Sequence, residues 1–269
     1  MSEENSSSSQ VKAKTTLHRL KGNPRRLLIE VIILGTLYAI YTFARNSNES
    51  SASKAFENAK LVIRWEEFLS IFHEQAVHDF FLNHEWVIIA ANYFYGSLHF
   101  IATIFALVWV FTRDPKRYSL VRNTIVISTL IALMGFIFFP LMPPRLLPES
   151  YGFIDTLAKY PTFWSFNSEE FATISNQYAA MPSVHIMWSS WVVFAMYPYL
   201  KTRILKVSVV LYPATTFFVI IVTSNHYYLD AVAGLCILII GYLVSLKITS
   251  LTTRSAIDKT ASLAVIKAK

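Results

Sequence analysis

The chain has 269 residues, 54% of them hydrophobic and 15% charged, with a formal net charge of +7. Soluble domains carry about 25% charged residues, so the composition excludes an ordinary soluble globule and points to one compact bundle in a membrane. The single cysteine, Cys236, excludes an intrachain disulfide.

In chain order, residues 1–22 with their SSSS run read as a disordered cytoplasmic tail. Residues 23–249 read as the membrane domain and 250–269 as a loose cytoplasmic C-terminal extension. The first apolar run starts near Leu27 with no small-residue cleavage pattern after it, so no cleavable signal peptide is expected. A crossing helix needs about 20 apolar residues. Six stretches meet or approach that length: Leu27–Ala44 (which carries Glu30), Trp86–Phe111, Asn123–Met142, the short His185–Leu200, Ile204–Thr223 and Tyr227–Leu246. The expected fold is therefore an all-α, six-helix transmembrane bundle. Between the first two spans, Ala55–Phe81 repeats Leu61, Trp65, Phe68, Leu69, Phe72 and Phe80 at helical spacing with charge between them. That pattern predicts an amphipathic helix lying along the membrane interface.

Six spans leave both termini on one side. Eighteen of the 24 Lys and Arg residues fall in the segments on that side, and six on the other. By the positive-inside rule both termini are cytoplasmic. The basic charge is thereby explained as membrane orientation, and no nucleic-acid partner is expected.

Three polar clusters then share the non-cytoplasmic face. The third span runs into FPLMPPRLLP with Arg145, the fourth begins at AAMPSVH with Ser183 and His185, and the sixth begins at SNHYYLD with Asn225, His226 and Asp230. Positions i and i+4 of a helix lie on one face, so Asp230 can hold one ring nitrogen of His226 and leave the other as a free lone pair. That is a nucleophile or base oriented by a carboxylate. Pro182 suits a first helical turn, which puts Ser183 at a helix N-terminus, where unpaired N–H groups attract phosphate. His185 can donate a proton to a leaving oxygen, and Arg145 offers a fixed guanidinium fork for phosphate oxygens. Together these describe phosphoryl transfer at a bilayer surface, with His226, Asp230 and His185 catalytic and Arg145, Ser183 and Asn225 binding substrate.

Taken singly, each feature has a plainer explanation. His226 and Asp230 can be a bonded pair at a span end, and Arg145 a snorkelling anchor. HEQAVH (His73–His78) has one residue too many for the HExxH zinc box, so interfacial placement is expected there rather than a metal site. His99 lies inside a span and is expected to be bonded to a neighbouring helix, with a place near the substrate as the other option. Tyr227, Tyr228, Phe163, Trp164 and Phe166 read as an interfacial aromatic belt.

AAMPSVH followed by NHYYLDAVAG resembles the type 2 phosphatidic acid phosphatase superfamily, whose members carry PSGH-like and HxxxD elements on six membrane helices. The pattern is similar to its inositol phosphorylceramide synthase (inositolphosphotransferase) branch, which has AMPSLH and an NHYxxD-like element. The run PPRLLP, GFIDT, NQYAAMPSVH resembles bacterial members, and the likeness covers Trp65 to Gly241 in order. The resemblance implies that His226 attacks phosphorus to form a phosphohistidine, Asp230 orients it and His185 protonates the departing alcohol. It implies no metal and no cofactor, a phospholipid donor, and water or a lipid hydroxyl as acceptor. Two departures stand out. The KxxxxxxRP element is missing, Arg145 being its nearest equivalent, and the arginine six residues before the nucleophile is replaced by Ile220. The site is thus poorer in positive charge than a phosphatase of that family, which favours a phosphodiester donor. A six-span transporter and a catalytically silent scaffold of the same fold are the competing expectations. Head group, acceptor and oligomeric state are left open by the sequence.

Overall fold

The structure, a computed structural model, describes residues 24–47, 52–160, 162 and 177–267. The expected tail over residues 1–22 and the belt residues Phe163, Trp164 and Phe166 lie outside the described residues. Among those described, nine α-helices follow one another: α1 (Pro24–Ser47), α2 (Ala52–Phe68), α3 (Glu74–Leu82), α4 (Glu85–Arg113), α5 (Pro115–Phe138), the short α6 (Thr156–Lys159), α7 (Val184–Met196), α8 (Arg203–Val222) and α9 (Tyr228–Lys267). No strand occurs among the described residues, only one isolated bridge between Leu141 and Ala179.

Four helices are long and apolar enough to cross a membrane: α4, α5, α8 and the Tyr228–Leu251 part of α9. Their outer faces expose large apolar side chains, including Phe100, Ile104 and Phe105 on α4, Leu211 on α8 and Ile239 and Leu243 on α9. A contiguous apolar surface of this kind calls for lipid rather than water. The expected fourth span is shorter than the sequence implied. α7 has 13 residues, about 20 Å of helix at 1.5 Å per residue against a hydrocarbon layer of about 30 Å. Ser183 caps its start, and a 3-10 turn at Tyr197–Tyr199, with Pro198 inside it, ends it. α1 carries the expected polar intrusion, and its resolution is local: Glu30 accepts from Arg122 at 2.6 Å and from the Tyr118 hydroxyl at 3.0 Å, both on α5.

The connections are built from recognisable chemistry. Asp114 separates α4 from α5 and caps α5 through the Arg117 N–H, with Pro115 at the first helical position, where its missing N–H costs nothing. That bond, together with one donated by the Tyr199 hydroxyl, holds the Asp114 carboxyl below the usual range. Arg117 then reaches across to the carbonyls of Phe194 and Ala195 and satisfies the C-terminal end of α7. α9 packs along α5 and against the start of α7 through two glycines seven residues apart. A Cβ on Gly241 would collide with Ser128, and one on Gly234 with the Ser183 carbonyl. Small residues at these points let the backbones approach closely. Beyond the apolar stretch α9 continues unbroken, so the C-terminal extension is helical as far as Lys267.

The segment expected to be one helix over 55–81 is two, α2 and α3, separated near Ser70, which has the positive φ of 56° typical of a helix stop. On α2 the side chains of Trp65 and Phe68 are 55% and 79% exposed, whereas Ala55, Ala59, Val62, Ile63 and Glu66 are buried. The aromatic stripe thus faces outward, and the inner face packs on Leu141, Met142, Phe153, Ala180 and Tyr227, the loops that carry the polar clusters. Two expectations need correction here. Tyr227 is fully buried and donates its hydroxyl to the Met142 carbonyl, so it is no belt residue. His78 is also fully buried: its Nε2 accepts from the Ile154 N–H and its Nδ1 faces the Val222 carbonyl at 2.8 Å. Because one nitrogen accepts, the other must donate, which fixes a neutral tautomer. Burial pushes the His78 pKa down accordingly. Its neighbour in the motif, His73, is exposed.

Candidate active site

The three polar clusters meet at one end of the bundle, where α5 and α8 end and α7 and α9 begin. Backbone bonds hold them together. The Leu141 N–H donates to the Tyr178 carbonyl at 2.7 Å, joining the segment before Arg145 to the segment before Ser183. The Arg145 N–H donates to the Ser224 carbonyl at 2.8 Å, and the Ser183 N–H to the Asp230 carbonyl at 3.0 Å.

His226 owes its position to the way α8 stops. Ser224 adopts a left-handed conformation, φ 53°. Its N–H returns to the Ile221 carbonyl and the Asn225 N–H to the Ile220 carbonyl, at 2.9 and 3.0 Å. This is the paired bonding of a Schellman stop, with serine where glycine is usual. The chain reverses there and presents His226 immediately before α9. Its Nδ1 lies 3.2 Å from Asp230 Oδ2, which also accepts from the Tyr227 N–H at 2.9 Å. Asp230 therefore makes the back-bond of a capping box, from the third helical position to the N–H before the helix, while holding the imidazole. His226 Nε2 is buried and has no hydrogen-bond partner among the described residues. With Nδ1–H donated to the carboxylate, that nitrogen carries the lone pair.

Two further carboxylates complete the start of α9. Glu74 accepts from the Tyr228 N–H at 2.9 Å, and Glu66 from the Leu229 N–H at 2.7 Å. The three consecutive amides of residues 227, 228 and 229 thus each end on a different carboxylate. The first amides of a helix lack intrahelical acceptors, and the helix dipole favours negative charge there. Glu66 and Glu74 are fully buried. Burial, with Glu74 beside it, raises the pKa of Glu66 to about 9.

His185, in the first turn of α7, faces His226 edge to face with ring centroids 5.5 Å apart. Tyr95 of α4 stacks on its other side at 4.1 Å, and His99 meets it edge-on at 4.5 Å. His99 meets the neighbouring helix α7 through ring contacts with His185 and Trp188, but the expected hydrogen bond to that helix is not seen: among the described residues its Nδ1 has no partner. The Ser183 hydroxyl accepts from the Ile186 N–H and caps α7. Pro182 precedes that cap instead of occupying the first turn.

Arg145 is 15% exposed and is held by two neighbours rather than snorkelling. Its Nε donates to Asn225 Oδ1 at 3.0 Å and its Nη1 to Asp155 Oδ2 at 2.7 Å. Asn225 is itself anchored, donating to Thr223 Oγ1 at 2.8 Å. Asp155 caps α6 with its other oxygen, through the N–H groups of Leu157 and Ala158. The guanidinium is therefore fixed beside the His226 loop, and much of its charge is balanced by Asp155.

His226, Asp230, His185, Ser183, Asn225 and Arg145 all belong to this one constellation. The sequence reading left out Glu66, Glu74, Asp155 and Thr223, which support it. Among the described residues no group of three or more His, Cys, Asp or Glu is arranged to hold a metal ion. Chemically, the arrangement offers a desolvated lone pair, an adjacent imidazole and a fixed cation, which is what an attack on a phosphate ester uses. A family model described as the PAP2 superfamily matches residues 60–244 of the chain. No curated protein and no solved structure matches it.

Proposed function

The chain belongs to the PAP2 superfamily, and from that premise we propose that it is a membrane lipid phosphotransferase or phosphatase with His226 as its nucleophile. The observation that carries this reading is the state of His226: Nδ1 against a buried carboxylate, Nε2 without a partner among the described residues, and a second imidazole with its ring centroid 5.5 Å away.

In the proposed reaction Nε2 attacks phosphorus, and the bond from phosphorus to the leaving alcohol breaks as His185, which takes up a proton from water once the negative phosphate lies beside it, gives that oxygen a proton. The imidazole gains positive charge, which Asp230 balances from the Nδ1 side. His185, now neutral, takes the proton of an incoming hydroxyl, whose oxygen attacks phosphorus while the N–P bond breaks and His226 is restored. Water as acceptor gives hydrolysis, and a lipid hydroxyl gives transfer. Arg145 orients the non-bridging oxygens, with Nη2 as the nitrogen not committed to Asn225 or Asp155.

The charge of the site favours a phosphodiester donor. Arg145 is already paired with Asp155, and Ile220, fully buried, stands where the family's phosphatases have a second arginine. A diester carries one negative charge, and a monoester carries close to two. This supports transfer of a phosphorylated head group from a phosphodiester lipid to a lipid acceptor, with phosphoinositol as the head group that the resemblance of AAMPSVH and NHYYLD suggests. We place the protein in a bacterial cell membrane with six crossings, α1 and α7 with its adjoining 3-10 turn completing the four long helices. Both termini are then cytoplasmic and the active site lies on the outer face, as the Lys and Arg distribution supports. The outward aromatic stripe of α2 supports an interfacial position for that helix.

The test uses the purified full chain with fluorescent phosphatidylinositol and phosphatidic acid, with and without ceramide or diacylglycerol. The reading expects the diester to be consumed, an acceptor lipid carrying the donor's head-group phosphate to form, and His226→Ala to abolish turnover while the protein stays folded. Full activity in that variant would overturn the mechanism, and preferential cleavage of phosphatidic acid would overturn the donor assignment.

A further inference from the structure

We propose that Glu66 and Glu74 are positioning residues for the nucleophile: a buried carboxyl pair, carried on the two peripheral helices α2 and α3, that grips the first turn of α9 and sets the place of His226. The inference rests on the reading of His226 given above.

The geometry is specific. Tyr228 and Leu229 are the first two residues of α9, and each donates its N–H to one glutamate across 154 and 163 residues of sequence. Tyr227, whose own N–H is held by Asp230, is packed against α2. The three carboxylates therefore clamp three successive peptide groups directly after His226. Two of them come from outside the four long helices, so α2 and α3 are part of the catalytic frame and not only a membrane-facing cover. Among the described residues, Glu66 Oε2 and Glu74 Oε2 are buried with no hydrogen-bond partner. Glu74 stands first among the charged groups acting on Glu66, with Asp230 next, and Tyr227 and Tyr228 also face the pair. Burial, with Glu74 beside it, keeps a proton on Glu66 up to about pH 9. Glutamine is uncharged, as the protonated carboxyl is, and keeps an oxygen to accept the amide.

Substitutions that keep or remove the acceptor separate this from a general packing role. Glu66→Gln retains an oxygen for the Leu229 N–H, and Glu66→Leu removes it while filling the space; Glu74→Gln and Glu74→Leu do the same for Tyr228. In the folded full chain, hydrogen–deuterium exchange of the peptide covering residues 224–232 should accelerate about ten- to a hundredfold in the Leu variants, as expected for loss of one buried bond, and stay near wild type in the Gln variants. With the phospholipid that the wild type turns over, the Leu variants should lose on the order of 10²-fold in kcat, the cost of a small misplacement of a reacting group. KM should be unchanged and the Gln variants should keep most of kcat. Unchanged exchange in the Leu variants, a defect confined to KM, or Gln variants as impaired as Leu variants would each overturn the proposal. If His226→Ala is inactive while the Leu variants keep full kcat, the clamp alone is wrong. If His226→Ala is active, the reading of the nucleophile is wrong whatever the glutamates do.

Discussion

Replacing Asp230 with Asn tests the electrostatic half of the proposed mechanism without changing the shape of the site. Asp230 is fully buried, and its Oδ2 accepts from both His226 Nδ1 and the Tyr227 N–H. An amide oxygen can still accept these bonds, so α9 should keep its start and the protein should fold. What disappears is the negative charge that balances the imidazole as Nε2 bonds to phosphorus. Removing one partner of a buried ion pair costs about 3–5 kcal/mol. At 1.36 kcal/mol per factor of ten this lowers kcat on the order of 10²- to 10⁴-fold. KM should change little, because the charge that Asp230 balances develops only as the attack proceeds. The assay is single-turnover release of the labelled alcohol, alongside thermal unfolding to establish that the variant is folded. A folded variant with wild-type kcat would refute the view that Asp230 stabilises charge on His226.

Three other outcomes follow from particular contacts. The Glu66 pKa moves from 4.5 to about 9 on folding, so between those values the folded protein keeps a proton that the unfolded chain releases, and stability falls as pH rises. Glu66→Gln removes this dependence, so its melting temperature should gain on the wild type steadily from pH 5 to 8.5; a gap independent of pH would contradict the assignment. Ser224, at φ 53°, should accept glycine with unchanged or higher melting temperature, whereas Ser224→Val should cost about 1–2 kcal/mol for a β-branched residue in the left-handed region. Gly234→Ala should destabilise by about 1–3 kcal/mol, because its methyl meets the Ser183 carbonyl, and it should lower kcat more than KM by pushing α9 away from His185; a silent variant would show that this close approach is not needed.

Those parts of the site that depend on short-range spacing were legible in the sequence. His226 and Asp230 are four residues apart, and the helix period alone puts them together. The alternation of span direction brought Arg145, Ser183 and His185 to the same end, because long apolar runs leave little freedom in how the chain crosses. The supporting carboxylates were not legible, for a physical reason. In α2 a glutamate between apolar positions reads as part of the water-facing side of an interfacial helix. Here Trp65 and Phe68 face outward, and Glu66 turns inward with the small residues. Glu74 and His78 were hidden in the same way, since their partners at Tyr228, Val222 and Ile154 lie 76 or more residues away. The Schellman stop before His226 escaped notice because Ser224 takes the place where glycine would announce it.

The central claim is that His226 Nε2 becomes covalently bonded to phosphorus. Rapid quenching of the full chain with a donor lipid carrying radioactive phosphorus measures this directly. The account predicts a protein-bound label that is stable in alkali and labile in acid, as a phosphorus–imidazole bond is, mapping to the peptide containing His226 and absent from His226→Ala. Label that survives acid, maps elsewhere or persists in His226→Ala would contradict it.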